Sequence, residues 1–180
     1  MTTYIAFLRG INLGKRNVKS DELRSIFSGM GFENVRTYIA SGNVLFDTKE
    51  KDSEKLTKKI EKGLADALGY KVIVFLRSQD ELEGILENNP FKDSHKKGAT
   101  CYISFLSDEP PKDATKEVLA RTSDTEKFKL IGRELYMLFH VGFSESVFFK
   151  KNDYEKVLGV IATNRNLNTP NKILAMIKKE

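Results

Sequence analysis

The sequence predicts an α+β protein, a tandem of two ferredoxin-like (split β-α-β) units, each an antiparallel sheet with helices on one face, with extra helices toward the C-terminus. Three observations predict it. Apolar runs of strand length alternate with segments of helical period in the order βαββαβ over the first half of the chain, and a β-α-β-β-α order recurs in the second half. Between them the polar stretch from Asn88 to Gly98, with Pro90 and Lys96-Lys97-Gly98, breaks the periodicity and offers few residues to a core. The first unit is therefore assigned to 1–90 and the second to 91–180, and the likeness between the halves is one of pattern.

The elements follow from local chemistry. Thr3 to Leu8 is a β-favouring apolar run, followed by a loop from Gly10 to Lys19. Ser20 is the expected N-cap of a helix to Met30 that Gly31 terminates, with Leu23, Ile26, Phe27 and Met30 on one face. Val35 to Ile39 and Val44 to Phe46 form a hairpin around Ala40-Ser41-Gly42-Asn43. A helix from Asp52 to Leu68 stops at Gly69, the strand Val72 to Leu76 follows, and Ser78 with Glu81 makes a capping box for the next helix. Beyond the linker come a strand at Thr100 to Leu106, a helix at Pro111 to Arg121, and a hairpin of Glu126 to Ile131 with Glu134 to Val141 turning at Gly132-Arg133. A helix over Asp153 to Ala162 is expected next, then a final helix to Lys178 with Thr169 as N-cap and Pro170 in its first position.

Composition excludes some functions. No apolar run approaches the roughly 20 residues of a membrane span, and Met1 to Leu8 lacks the basic leader of a signal peptide, so a cytoplasmic protein with no membrane association is expected. Cys101 is a single cysteine inside an apolar run and reads as a buried structural thiol; with only His95 and His140 beside it, a His/Cys metal cluster has too few ligands. No metal and no cofactor are expected. The net charge of +5, its excess mainly in the second half, points weakly to anionic partners.

Two polar segments stand out. In Arg9-Gly10-Ile11-Asn12-Leu13-Gly14-Lys15-Arg16-Asn17 the glycines free the backbone to turn N–H groups toward a ligand, Arg9 offers a bidentate fork and Asn12 a donor and acceptor. The spacing is neither a dinucleotide fingerprint nor a P-loop, and Asp21 and Glu22 in the following helix would repel a phosphate at its terminus, so an anion would sit above the loop. The turn carrying Ser41 and Asn43 is a further candidate wall. In Thr163-Asn164-Arg165-Asn166-Leu167-Asn168-Thr169-Pro170-Asn171-Lys172, read as an interhelix loop, Arg165, Asn166 and Lys172 surround a helix start that has no acidic residue. Gly142-Phe143-Ser144-Glu145-Ser146 lacks the second glycine of a nucleophile elbow, and Ser144 or Ser146 is expected to cap a helix.

Tyr4 to Asn12, Val35 to Phe46 and Ala162 to Leu174 resemble the bacterial domain-of-unknown-function 1697 family, which implies a tandem α+β architecture and draws attention to the same three segments without implying an activity, cofactor or substrate. Leu167 stands where the family pattern often has tryptophan, and Phe143-Ser144-Glu145 departs from its usual glycine- and serine-containing sequence.

The expected function is a binding module for a phosphate-bearing or otherwise anionic small ligand, through Arg9, Asn12, Ser41, Asn43, Arg165, Asn166 and Lys172. The alternatives are an enzyme on a small metabolite that uses arginine and asparagine to stabilise developing negative charge, a nucleic-acid binder acting through the basic second half, and a self-associating protein. No base or nucleophile is identifiable, which leaves catalysis open.

Overall fold

The computed structural model describes the chain except at positions 15, 39–41, 95–97, 143 and 180. Ser41, Lys15, Phe143 and part of the expected linker thus lie outside the described residues. The chain divides into two compact units, Met1–Leu82 and Glu83–Glu180.

The first unit runs β1 (Thr2–Arg9), α1 (Ser20–Gly29), β2 (Glu33–Thr37), β3 (Asn43–Thr48), α2 (Ser53–Leu68) and β4 (Ile73–Ser78), and α3 (Gln79–Glu87) starts at its end. Its four strands are ordered β2-β3-β1-β4, every pairing antiparallel. This is the order of the split β-α-β motif. One face of the sheet, Tyr4, Ala6, Leu8, Val44, Phe46, Val74 and Leu76, packs with Leu23 and Phe27 of α1 and Leu56, Ile60 and Leu64 of α2. The other face, with Ile5, Phe7, Leu45 and Phe75, is buried too.

Local signals account for the element ends. Asp52 caps α2 by accepting from the Lys55 N–H at 3.0 Å, and Gly69 ends it in the left-handed region at φ 77°. The capping box of α3 is reciprocal: the Glu81 N–H donates to Ser78 Oγ at 3.2 Å and the Ser78 N–H to Glu81 Oε2 at 2.7 Å. Lys19, not Ser20, occupies the N-cap of α1, with no side-chain cap.

The second unit runs β5 (Thr100–Leu106), α4 (Lys112–Leu119), β6 (Glu126–Ile131), β7 (Glu134–Phe139), α5 (Val147–Lys151), α6 (Tyr154–Leu158), β8 (Ala162–Asn166) and α7 (Asn168–Ile177), with the sheet ordered β6-β7-β5-β8. Two expectations are corrected. The helix expected over Asp153 to Ala162 ends at Gly159, which takes φ 68°, and Ala162 to Asn166 is not an interhelix loop but a strand antiparallel to β5. α7 begins at Asn168 with Leu167 as N-cap, so Thr169 and Pro170 stand inside its first turn. The short α5 is an added element, capped by Ser146, whose hydroxyl accepts from the Phe149 N–H at 3.1 Å.

With β8 in place the two units share one strand order and register, and their first strands match in sequence. Thr2-Thr3-Tyr4-Ile5-Ala6-Phe7-Leu8-Arg9 matches Thr100-Cys101-Tyr102-Ile103-Ser104-Phe105-Leu106-Ser107 at five of eight positions. Ile5 pairs with Leu45 and Arg77, and Ile103 with Tyr136 and Arg165, in the same register. The Leu8 N–H donates to the Gly42 carbonyl at 2.7 Å and the Leu106 N–H to the Arg133 carbonyl at 2.9 Å, so each first strand is tied to its own hairpin turn in the same way.

Candidate functional site

Strand order decides which loops meet. Because β1 runs antiparallel to both β3 and β4, its C-terminal end lies beside the first residues of each: Phe7 pairs with Asn43 and Arg9 with Ile73. The β1–α1 loop, the end of the β2–β3 connection and the α2–β4 connection therefore converge at one end of the first sheet.

The first of these loops is braced from inside. Gly10 turns the chain at φ 86°, and Ile11 is buried. The Tyr70 hydroxyl, from the α2–β4 connection, donates to the Ile11 carbonyl at 3.0 Å. Asn12 Oδ1 accepts from the Val18 N–H at 2.8 Å, which closes the loop, and the Arg16 N–H donates to the Leu13 carbonyl at 3.1 Å. The Arg16 guanidinium lies 4.0 Å above the centre of the Tyr70 ring, within cation–π range. Gly42 closes the third side: at φ 74°, a Cβ placed on it would fall 2.7 Å from Ile11 Cγ2 and 3.0 Å from Leu8 Cβ.

The expected site residues in this unit divide by what holds them. Arg9 is half-buried at the end of β1, and Asn12 is engaged in bracing its own loop. Asn43 is fully buried; its Nδ2 donates to the Tyr38 carbonyl at 2.8 Å, and the Tyr38 N–H donates to the Asn43 carbonyl at 3.0 Å. Its carboxamide holds the hairpin. Arg16 and Tyr70 were not singled out from sequence as a pair. Tyr70 follows a helix-ending glycine 54 positions after Arg16, and only the placement of β4 beside β1 hints at their meeting.

The C-terminal segment is built differently. Arg165 lies on β8, 7 % exposed, and its Nη1 donates to Thr163 Oγ1 and to the Asn164 carbonyl, both at 2.8 Å. Burial lowers its pKa to about 10, since charge is penalised away from water. Arg77 occupies the equivalent position on β4, 2 % exposed, with its Nη1 donating to the preceding carbonyl, Leu76, also at 2.8 Å. Asn166 Oδ1 accepts from the Asn168 N–H at 3.0 Å at the entry to α7, and Ser78, the residue after the other buried arginine, accepts from the Glu81 N–H at the start of α3. Pro170 has no N–H to offer, and the Asn171 N–H donates to the Leu167 carbonyl at 3.4 Å, so the start of α7 retains little of the donor capacity of a free helix terminus. Lys172 is exposed on α7.

Two cavities in this unit are formed by described residues. One, of about 210 Å³, is lined by Ala99, Thr100, Cys101, Asn166, Leu167 and Asn168. Cys101 is buried beside Asn89, and desolvation raises its thiol to about 11, which makes it a poor nucleophile at neutral pH. The other, of about 280 Å³, is lined by Arg121, Ser123, Thr125, Glu126, Val147, Phe148 and Lys151. Its Arg121 is held by Asp153 through bonds of 2.5 and 3.2 Å, and Glu126 accepts from the Val147 and Phe148 N–H groups at 2.8 and 3.3 Å. Among the described residues no group of three or more His, Cys, Asp and Glu could hold a metal ion, and no helix is long and apolar enough to cross a membrane.

The solved structure of a conserved bacterial protein, SP0830 from Streptococcus pneumoniae, is similar over 99% of both chains, at 25% identity and a TM-score of 0.79, and shares the two-sheet α+β architecture. The crystal structure of an unknown protein from Galdieria sulphuraria covers 92% of this chain and 97% of its own at 15% identity, but its TM-score of 0.26 carries no argument about fold. No curated protein matches the sequence. The family model described as protein of unknown function (DUF1697) matches residues 1–136, a span that takes in all of the first unit and its three-loop end, and the chain belongs to that family.

Proposed function

We propose that the protein binds a phosphate-bearing or otherwise anionic small ligand, and that the site is the three-loop end of the first unit, with Arg9 and Arg16 as its cations. The observation that carries this reading is the Arg16–Tyr70 stack: a guanidinium held 4.0 Å over a ring that is itself pinned to the Ile11 carbonyl. A cation fixed before binding loses less side-chain entropy on contact with an anion. Among the described residues no carboxylate pairs with Arg16.

The reading leaves Arg165, Asn166 and Asn43 to the fold. Each spends side-chain hydrogen bonds on its own strand, helix start or hairpin, and the first two are mirrored by Arg77 and Ser78.

A thermal-shift series with tripolyphosphate tests it. A ligand at about 100 times its Kd stabilises by about 2.7 kcal/mol, on the order of 5–10 °C for a chain of this size. Arg9→Ala and Arg16→Ala should each remove most of that shift, and Lys172→Ala should preserve it. Equal shifts in parent and Arg16→Ala would remove the loop from the site.

A further inference from the structure

The loop that carries Arg16 presents more than positive charge. Arg16 is an exposed residue whose guanidinium carbon lies 4.0 Å over the centre of the Tyr70 ring, so the ring takes up one side of the cation. The Arg16 N–H donates to the Leu13 carbonyl at 3.1 Å, so the two residues share one turn, and Leu13 is 63% exposed. A bare phosphate can use the guanidinium edge as a hydrogen-bonding fork, but it has no use for the face of that cation or for an exposed aliphatic side chain in the same turn. A ligand with a flat, weakly polar ring joined to an anion has a use for both, because a guanidinium plane stacks on a base as it does on an aromatic side chain.

From this juxtaposition we infer that the ligand of the three-loop end is a nucleoside phosphate, its base stacked on the Arg16 guanidinium opposite Tyr70 and in contact with Leu13, and its phosphates directed to Arg9 and the Gly10 to Gly14 backbone. The inference rests on the reading of that end as the anion site. It adds the class of ligand, and it assigns Arg16 a selective role that charge alone would not give it.

The geometry suits the assignment. Gly10 and Gly14, at φ 86° and 62°, hold conformations that would strain other residues, and among the described residues nothing beyond its chain neighbours lies within 4 Å of where a Cβ on Gly14 would stand. Tyr70 cannot turn away without giving up its bond to the Ile11 carbonyl, so the stacking platform is set before the ligand arrives.

Isothermal titration calorimetry of the full chain with ATP, tripolyphosphate and adenosine separates this inference from the reading beneath it. ATP should bind about tenfold more tightly than tripolyphosphate, in line with the stacking of one base. Arg16→Lys, which keeps the charge and loses the plane, should bring the ratio of the two affinities to about one, whatever it does to each alone. Equal affinities for ATP and tripolyphosphate in the parent, or a preference that survives Arg16→Lys, would overturn the nucleoside assignment and leave the anion site standing. Binding of neither would overturn both. Displacement of ATP by a far lower concentration of a single-stranded oligonucleotide would support the same base and phosphate chemistry and assign its source to nucleic acid.

Discussion

Replacing Gly42 by alanine tests whether the three connections at the end of the first sheet are locked together. Two costs follow from the geometry. Gly42 sits at φ 74°, and a non-glycine residue held in that region costs about 1–2 kcal/mol. The new Cβ would also fall 2.7 Å from Ile11 Cγ2 and 3.0 Å from Leu8 Cβ, closer than real carbons approach, and Ile11 is buried under the Tyr70 contact with little room to move. Overpacking of this kind costs about 1–3 kcal/mol. Gly42→Ala should therefore lower stability by about 2–5 kcal/mol, read as a fall in the urea midpoint at unchanged slope. Ile11→Ala removes the clashing Cγ2, so the double variant should lose about 1–2 kcal/mol less than the sum of the single changes. A loss below about 1 kcal/mol for Gly42→Ala, or strict additivity with Ile11→Ala, would refute the close packing of turn against loop.

Arg77→Met and Arg165→Met should destabilise by similar amounts, about 1–3 kcal/mol each in urea unfolding, because each removes a charged donor from the carbonyl that precedes it on a final strand. A normal urea midpoint in Arg165→Met together with a lost ligand shift would instead return Arg165 to the binding site. Glu50 accepts from Lys55 Nζ at 2.8 Å, and chiefly that bond lowers its pKa from 4.5 to about 2. A depressed carboxylate contributes stability above its unfolded value that is lost as pH falls through the folded one. Glu50→Gln should therefore flatten the decline in stability between pH 4.5 and 2, measured as thermal midpoint against pH, and an unchanged acid limb would rule the pair out as a contributor.

Elements set by local chemistry were legible in the sequence and those set by distant partners were not. β5 coincides with Thr100 to Leu106 because the run is largely apolar and rich in β-branched and aromatic residues, and α3 starts at its capping box because Ser78 and Glu81 satisfy one another over three residues. β8 was missed because Thr-Asn-Arg-Asn has low strand propensity; the ladder offered by β5 makes it a strand, with Ile103 opposite Arg165. The helix before it looked longer because Ile161 continues the stripe of Val157 and Leu158, yet Gly159 in the left-handed region ends it. The candidate site was half legible. The glycine- and arginine-rich loop announced itself by composition, whereas the partner that orients Arg16 is a tyrosine from another connection, and the asparagines expected as ligand contacts also hold loops and turns.

The internal repeat separates what serves the fold from what is specific to one unit. A feature present at equivalent positions of both sheets is accounted for by the architecture they share: the buried arginine of the last strand, the polar side chain after it that accepts an N–H at the next helix, and the bond from the end of the first strand to the hairpin turn. The loops that leave the first strands do not repeat. After β1 the chain reads Gly10-Ile11-Asn12-Leu13-Gly14, followed by Arg16 over Tyr70; after β5 it reads Ser107-Asp108-Glu109-Pro110-Pro111. Two prolines fix φ and withhold their N–H groups, and two carboxylates repel anions, so the second loop lacks the features on which the anion site is proposed at the first. A tandem that keeps one framework in both units and concentrates glycine, cation and exposed apolar surface in a single loop differs between its halves at that loop, and it is on this difference that the proposed anion site takes Arg16 ahead of Arg165.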